Sequence, residues 1–257
     1  MDTVIYYLKK LSKLNKNGRY FCYRGQADEK WDLEEGIFRE DSKNTSKYLN
    51  YIYQEVLQKI QLCGSYSPID QLHKLQHYKL PTRLLDWTYN PLVALFFACG
   101  KRNKQPGKLY CFDISSIKEY SYQNICIKNN DQFIYRANQD RIEKYFHNEL
   151  IINPHLNNIK NKYTIIEDIF LMNSKSKSIR EINQASLLTI NLSQDSEVWK
   201  KKMNINEIEI KDIDKKKIKE ELMTSFNIWE YSIYPDNPDL ATDIIKRKYQ
   251  KQNSLML

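Results

Sequence analysis

The chain has 257 residues, 41% of them hydrophobic, with 40 Lys and Arg against 32 Asp and Glu and a formal net charge of +8. That is enough for one large domain with a genuine core, and the charge favours an anionic partner such as nucleic acid or a phosphate-bearing ligand. Five scattered cysteines (22, 63, 99, 111 and 126), odd in number and without CxxC spacing, argue against a zinc ribbon or a disulfide framework. No apolar stretch reaches the ~20 residues of a membrane span, and the first residues lack the pattern of a signal peptide, so a soluble, cytoplasmic protein is expected.

Taken in chain order, Val4, Tyr7, Leu8 and Leu11 recur at helical spacing and predict a short amphipathic helix over 2–14, ended by Asn17 and Gly18. Residues 20–24 read as a buried aromatic strand, with Gly25 letting the chain leave it sharply. Helices are predicted over 46–62 and from Pro68 to Gln76, the second stopping before Pro81. Residues 77–90 read as an irregular, polar-lined loop held against a buried helix over 91–101, for which Asn90 is the N-cap and Pro91 the first residue. A turn at 105–107 leads into a strand over 108–114.

Between 116 and 165 the signals are weak, with a helix around 138–150 and a helix or irregular stretch over 163–172. Alternation from Ile179 to Asn191 suggests further strands, clearest over 186–192. Residues 207–213 read as a strand, 215–226 as a helix and 238–250 as a closing helix. The basic runs 200–202 and 215–219 read as solvated surface. Short strands and helices without regular βαβ alternation indicate an α+β fold.

The familiar catalytic signatures GxxxxGK[ST], GxGxxG, HExxH and GxSxG do not occur. His73 and His77 have i,i+4 spacing but no acidic or Cys partner nearby, so no metal is expected. What stands out is a set of polar residues at apolar addresses. The stretch QHYKLPTRLLDWTYNPLVALFFA at 76–98 places His77, Thr82, Arg83, Asp86 and Thr88 directly before an apolar run, where ionisable groups need partners. Arg24 ends the first aromatic strand with a donor fork suited to phosphate or carboxylate. Its alternative is a structural pairing with Asp86. Glu230 sits among aromatic and aliphatic residues at 226–235, and Gln184 is placed similarly.

These segments resemble the FRG domain. Tyr23-Arg24-Gly25-Gln26 matches its naming motif, and 76–98 matches its QHxGxPTRLLDWTxxPxxALxFA block, with Lys79 where Gly is usual. Arg180 with Gln184 resembles a later motif, Ser186 standing for its Gly. Residues 226–240 resemble a C-terminal one, Asn227 standing for Gly. The resemblance implies a single FRG-like domain over 1–257, with 116–178 as a helical insertion.

The order of these motifs is similar, more distantly, to that of ADP-ribosyltransferases. That likeness implies a central, mainly antiparallel sheet flanked by helices, and NAD as substrate. Arg24, Thr88 and Glu230 would be the catalytic residues, with Arg24 on the first strand, Thr88 before the buried helix and Glu230 on a late strand. Arg24, Gln26, His77, Thr82, Arg83 and Gln184 would bind the NAD. A toxin or phage-defence effector follows, with a nucleic-acid acceptor and an antitoxin or immunity partner. The alternative is a non-enzymatic nucleic-acid-binding or effector module, in which the polar block is a structural network around Asp86 and Arg83.

Overall fold

The computed structural model describes residues 2–14, 20–39, 49–59, 68–100, 104–114, 125–129, 132–134, 163–165, 169–172, 178–191 and 205–237. Its helices are α1 (Asp2–Leu14), α2 (Leu49–Lys59), α3 (Pro68–His77), α4 (Pro91–Ala98), α5 (Ile179–Asn183), α6 (Asp212–Phe226) and α7 (Glu230–Ile233). The strands are β1 (Phe21–Gln26), β2 (Leu84–Thr88), β3 (Gly107–Asp113), β4 (Ile125–Asn129), β5 (Gln132–Ile134), β6 (Tyr163–Ile165), β7 (Ile169–Met172), β8 (Ser186–Asn191) and β9 (Asn206–Ile210). Six of them form one sheet in the order β7-β8-β2-β1-β3-β9, antiparallel at every pairing. The fold is α+β, as expected. A separate three-stranded sheet has the order β5-β4-β6.

α4 is apolar nearly all round, and an all-apolar helix must be buried on most sides. Val93, Ala94, Leu95 and Ala98 are at most 1% exposed. The helix starts where Asn90 Oδ1 accepts the Leu92 N–H at 3.0 Å, with Pro91 in its first turn. On one side it meets the sheet; on the other lie α1 and α6, which present Val4, Tyr7, Leu11, Ile218 and Leu222 to the same core. Glu221 fixes the start of α1 by accepting the Val4 N–H at 2.8 Å. The opposite sheet face carries a second core of Cys22, Leu85, Trp87, Tyr110, Phe112 and Leu187 beneath Leu33.

Gly25 explains how close α4 comes. A Cβ built on it would lie 1.9 Å from the Ala94 carbonyl oxygen and 2.5 Å from the Ala98 nitrogen. Its role is therefore close packing from inside β1 rather than the sharp exit expected of it.

Other expectations are corrected too. Residues 84–88 are not loop but β2, flanked by β1 and β8 within the sheet; their polar side chains suggested otherwise because one face of the strand opens onto a cavity. Residues 179–183 are helix, not strand, because Ser178 and Glu181 form a reciprocal capping box. Ala185, at φ 45°, then turns the chain into β8. Glu230 begins α7 instead of lying on a strand. Lys215, assigned to a solvated run, is fully buried and donates from Nζ to the Ala27 carbonyl at 2.6 Å. Within 116–178 the described elements are strands β4–β7, while the helices expected at 138–150 and 238–250 lie outside the described residues.

Candidate functional site

β1 and β2 are paired at one position only, Tyr23 opposite Thr88. β1 continues with β3 through six paired positions and β2 with β8 through five, so the interruption is confined to the middle of the sheet. Backbone groups freed there need other partners. Arg24 supplies one, its Nη1 donating to the Asp86 carbonyl at 2.6 Å. Around this interruption lies a cavity of about 280 Å³, walled by β1, β2, β8, the ends of α3 and α4, and α5.

Of the residues expected to form a site, Arg24, His77, Thr88 and Gln184 line this cavity. Thr88 is committed to the scaffold. Its hydroxyl donates to the Gln184 carbonyl at 2.6 Å and accepts the Asn90 N–H at 3.0 Å, tying the end of β2 to α4 and α5. A hydroxyl has one proton to donate, so Thr88 shapes the site. Gln184 is anchored in turn, its Nε2 donating to the Ile233 carbonyl at 3.2 Å.

Gln26, Thr82, Arg83 and Glu230 are not among the lining residues. Gln26 is buried and donates to the Asp32 carbonyl at 3.2 Å. Thr82 donates to Gln76 Oε1 and accepts the Leu84 N–H at 3.1 Å, closing the turn into β2. Arg83 is buried, close enough to Tyr53 to act on its phenol. Glu230, 47% exposed, pairs with Lys219 Nζ at 3.1 Å. Asp86 meets Arg24 through its backbone and keeps its carboxylate at the cavity.

The lining also holds Asp86, one of the polar residues singled out before the apolar run, and residues not expected there: His73, Gln76, Lys79, Arg180 and Glu181. His73 Nε2 meets Glu181 Oε1 at 2.9 Å, with side chains only 12% and 13% exposed. The other Glu181 oxygen accepts from Ser178 N at 2.9 Å and Ser178 Oγ at 2.8 Å. Burial alone would raise the Glu181 carboxyl, but hydrogen bonds from His73 and Ser178 outweigh it and hold the group at about 2. The Arg180 guanidinium lies 4.6 Å above the Tyr234 ring, a cation–π contact that leaves its donor fork unengaged by any described residue.

Burial pulls Arg24 down to about 10, against the opposing pull of Asp86, Tyr110 and Glu35, and it stays cationic at neutral pH. Arg24 Nε is buried without a hydrogen-bond partner among the described residues. His77 is also lowered, by burial first and by Arg180 next. With Arg24, Arg180 and Lys79 set against Asp86 and an already satisfied Glu181, the cavity is suited to an anion.

Lys79 occupies a left-handed turn, φ 64°. Leu80 N–H bonds to the Leu75 carbonyl at 3.1 Å and Lys79 N–H to the Gln76 carbonyl at 2.8 Å, closing α3 in a Schellman motif. Asn227, at φ 53°, ends α6 in the same conformation. Lys79 and Asn227 thus both stand at backbone positions that favour glycine.

Among the described residues no helix is long and apolar enough to cross a membrane, and no three His, Cys, Asp or Glu are grouped to hold a metal ion. A family model described as the FRG domain matches residues 19–106, from just before β1 to the start of β3. The matched stretch contributes Arg24, Gln76, His77, Asp86 and Thr88 to the cavity; Arg180, Glu181 and Gln184 come from beyond it. No curated protein and no solved structure matches the chain.

Proposed function

We propose that the cavity takes the phosphate-bearing part of NAD and that the protein is an ADP-ribosyltransferase-type effector, passing ADP-ribose to a macromolecular acceptor. The observation that carries this reading is the pair of arginines lining one cavity, Arg24 from β1 and Arg180 from α5, each with donors that no described residue takes up. Guanidinium donors match phosphate oxygens bidentately. Tyr23, Trp87 and Phe97 in the same lining offer apolar surface to a base or nicotinamide ring. At about 280 Å³ the cavity admits part of a dinucleotide, the remainder reaching out past the exposed His77 of its lining. The net charge of +8 favours nucleic acid as acceptor. A toxin or phage-defence role, with an immunity partner to restrain it, rests on the resemblance alone.

A second reading, binding of a phosphate-bearing ligand without turnover, is favoured by one observation: Glu230 lies outside the lining and is paired with Lys219. Calorimetry with NAD, ADP-ribose and adenosine, alongside label transfer from NAD to RNA, DNA and protein, separates the two. Both readings expect NAD and ADP-ribose to bind and adenosine to bind far more weakly. Arg24→Ala should weaken NAD binding by about 10- to 100-fold, the loss of one or two charge-assisted hydrogen bonds. Label transfer or NAD hydrolysis supports the enzyme. Equal affinity for adenosine, or an unchanged Arg24→Ala, would remove the phosphate site.

A further inference from the structure

We propose that His73 is the general base of this cavity and that Glu181 is its positioning residue; the inference rests on the ADP-ribosyl-transfer reading above and assigns the group that receives the acceptor's proton. Glu181 is strongly fixed. It stands at the third residue of α5, where its carboxylate accepts both the backbone N–H and the hydroxyl of Ser178, while the Ser178 hydroxyl accepts the Glu181 N–H at 3.3 Å. A capping box would be complete with that. The remaining oxygen nevertheless reaches α3 and takes His73 Nε2 at 2.9 Å, joining elements distant in sequence beside the cavity.

An imidazole held at Nε2 by a carboxylate has its tautomer set, with the lone pair on Nδ1. Nδ1 has no partner among the described residues, and His73 lines the cavity. An ionised carboxylate behind the ring also stabilises the imidazolium that forms when Nδ1 takes a proton. Glu181 suits that role because its own hydrogen bonds keep it charged. Both side chains are nearly dry, 12% and 13% exposed, where such stabilisation counts for more than in water.

The acceptor hydroxyl, or water, gives its proton to His73 Nδ1 and its oxygen bonds to the ribosyl C1′. The C1′–nicotinamide bond breaks with its electron pair on the pyridine nitrogen, neutralising that ring's positive charge. His73 then releases the proton to solvent.

The test uses the full chain, NAD, and either water or an RNA acceptor. His73→Ala should lower kcat by about 10²- to 10⁴-fold, the usual contribution of a general base, with NAD affinity by calorimetry within about threefold of wild type. Added imidazole should restore part of the rate. His73→Gln, which keeps a donor for Glu181, should fold as the wild type does and be equally slow. Glu181→Gln retains acceptors for Ser178, so it should still fold, less stable at pH 7 by the loss of a depressed carboxylate, and lower kcat about tenfold or more. Combined with His73→Ala it should add nothing further, because it acts through that ring.

Full turnover by either His73 variant would overturn the assignment while leaving the transferase reading intact. So would a loss that tracks NAD affinity and ignores imidazole. Wild-type protein that turns over no NAD with any acceptor would remove the reading beneath it, and the assignment with it.

Discussion

Gly25→Ala tests the packing on which the site depends. The new methyl carbon would meet the Ala94 carbonyl oxygen at 1.9 Å and the Ala98 nitrogen at 2.5 Å. Ordinary contact begins near 3.4 Å, so α4 or β1 must retreat by about 1.5 Å, a distance set by two backbone atoms that cannot swing aside as a side-chain tip can. Forcing extra carbon into a packed core costs typically 1–3 kcal/mol and occasionally more. With backbone as the obstacle on both contacts, we expect about 3 kcal/mol or above. For a chain of this size that is a fall of about 6–12 °C in the thermal midpoint, read by circular dichroism or calorimetry. Displacing β1 also moves Arg24, the neighbouring residue, so ligand affinity should fall in whatever protein remains folded. A Gly25→Ala variant melting within about 1 °C of wild type would refute the close approach of helix and strand.

Two further predictions concern the edges of the site. Lys79→Gly should raise stability by about 0.5–1 kcal/mol in urea denaturation, because the left-handed conformation at φ 64° costs an L-residue more than the added chain entropy of glycine; a loss of stability would mean that Lys79 holds the turn through its side chain. Glu181 is held at about 2 when folded against about 4.3 in an unfolded chain. A depressed carboxyl contributes stability above its unfolded value and loses it as pH falls toward the folded one. Wild type should therefore be more stable than Glu181→Gln at pH 7 by a margin that shrinks between about pH 4.5 and 2; a margin independent of pH would show that the Glu181 charge contributes nothing.

The parts of the fold that could be read from the sequence are those where one physical signal dominates. α4 announces itself by the Asn-Pro cap and an apolar run with no polar face, and β1, β3 and β8 by short aromatic and aliphatic runs. β2 was concealed because Asp86 and Thr88, the residues that make it look like loop, face a cavity rather than a core. α5 mimics a strand by alternation over a segment too short for periodicity to settle, and the deciding signal is Ser178 followed three residues later by Glu181. Similar reasoning separates the site residues. Spacing and residue type singled out Arg24, His77, Thr88 and Gln184, but they could not tell which way a polar side chain points. Thr82, Arg83 and Gln26 were therefore grouped with a cavity they do not line. The His73–Glu181 pair depends on a contact between α3 and α5, which no local pattern contains.

The interruption between β1 and β2 ties these observations together. A sheet whose central strands pair at one position leaves backbone groups in need of partners, and the chain answers with polar side chains at addresses that otherwise read as core. Arg24 takes the Asp86 carbonyl; Thr88 joins the end of β2 to the start of α4 and the end of α5; Thr82 closes the turn that delivers β2. Each bond holds the gap in shape, and all but those of Thr82 border the cavity. What distinguishes a ligand site from a merely irregular sheet is the polar capacity left over once the scaffold is satisfied. Here that remainder is concentrated on one cavity, in Arg24 Nε, the Arg180 fork and the second nitrogen of His73, and among the described residues nothing in the protein takes it up. Donors kept half-dry without partners are costly to a folded chain, and a bound anion is what would offset them.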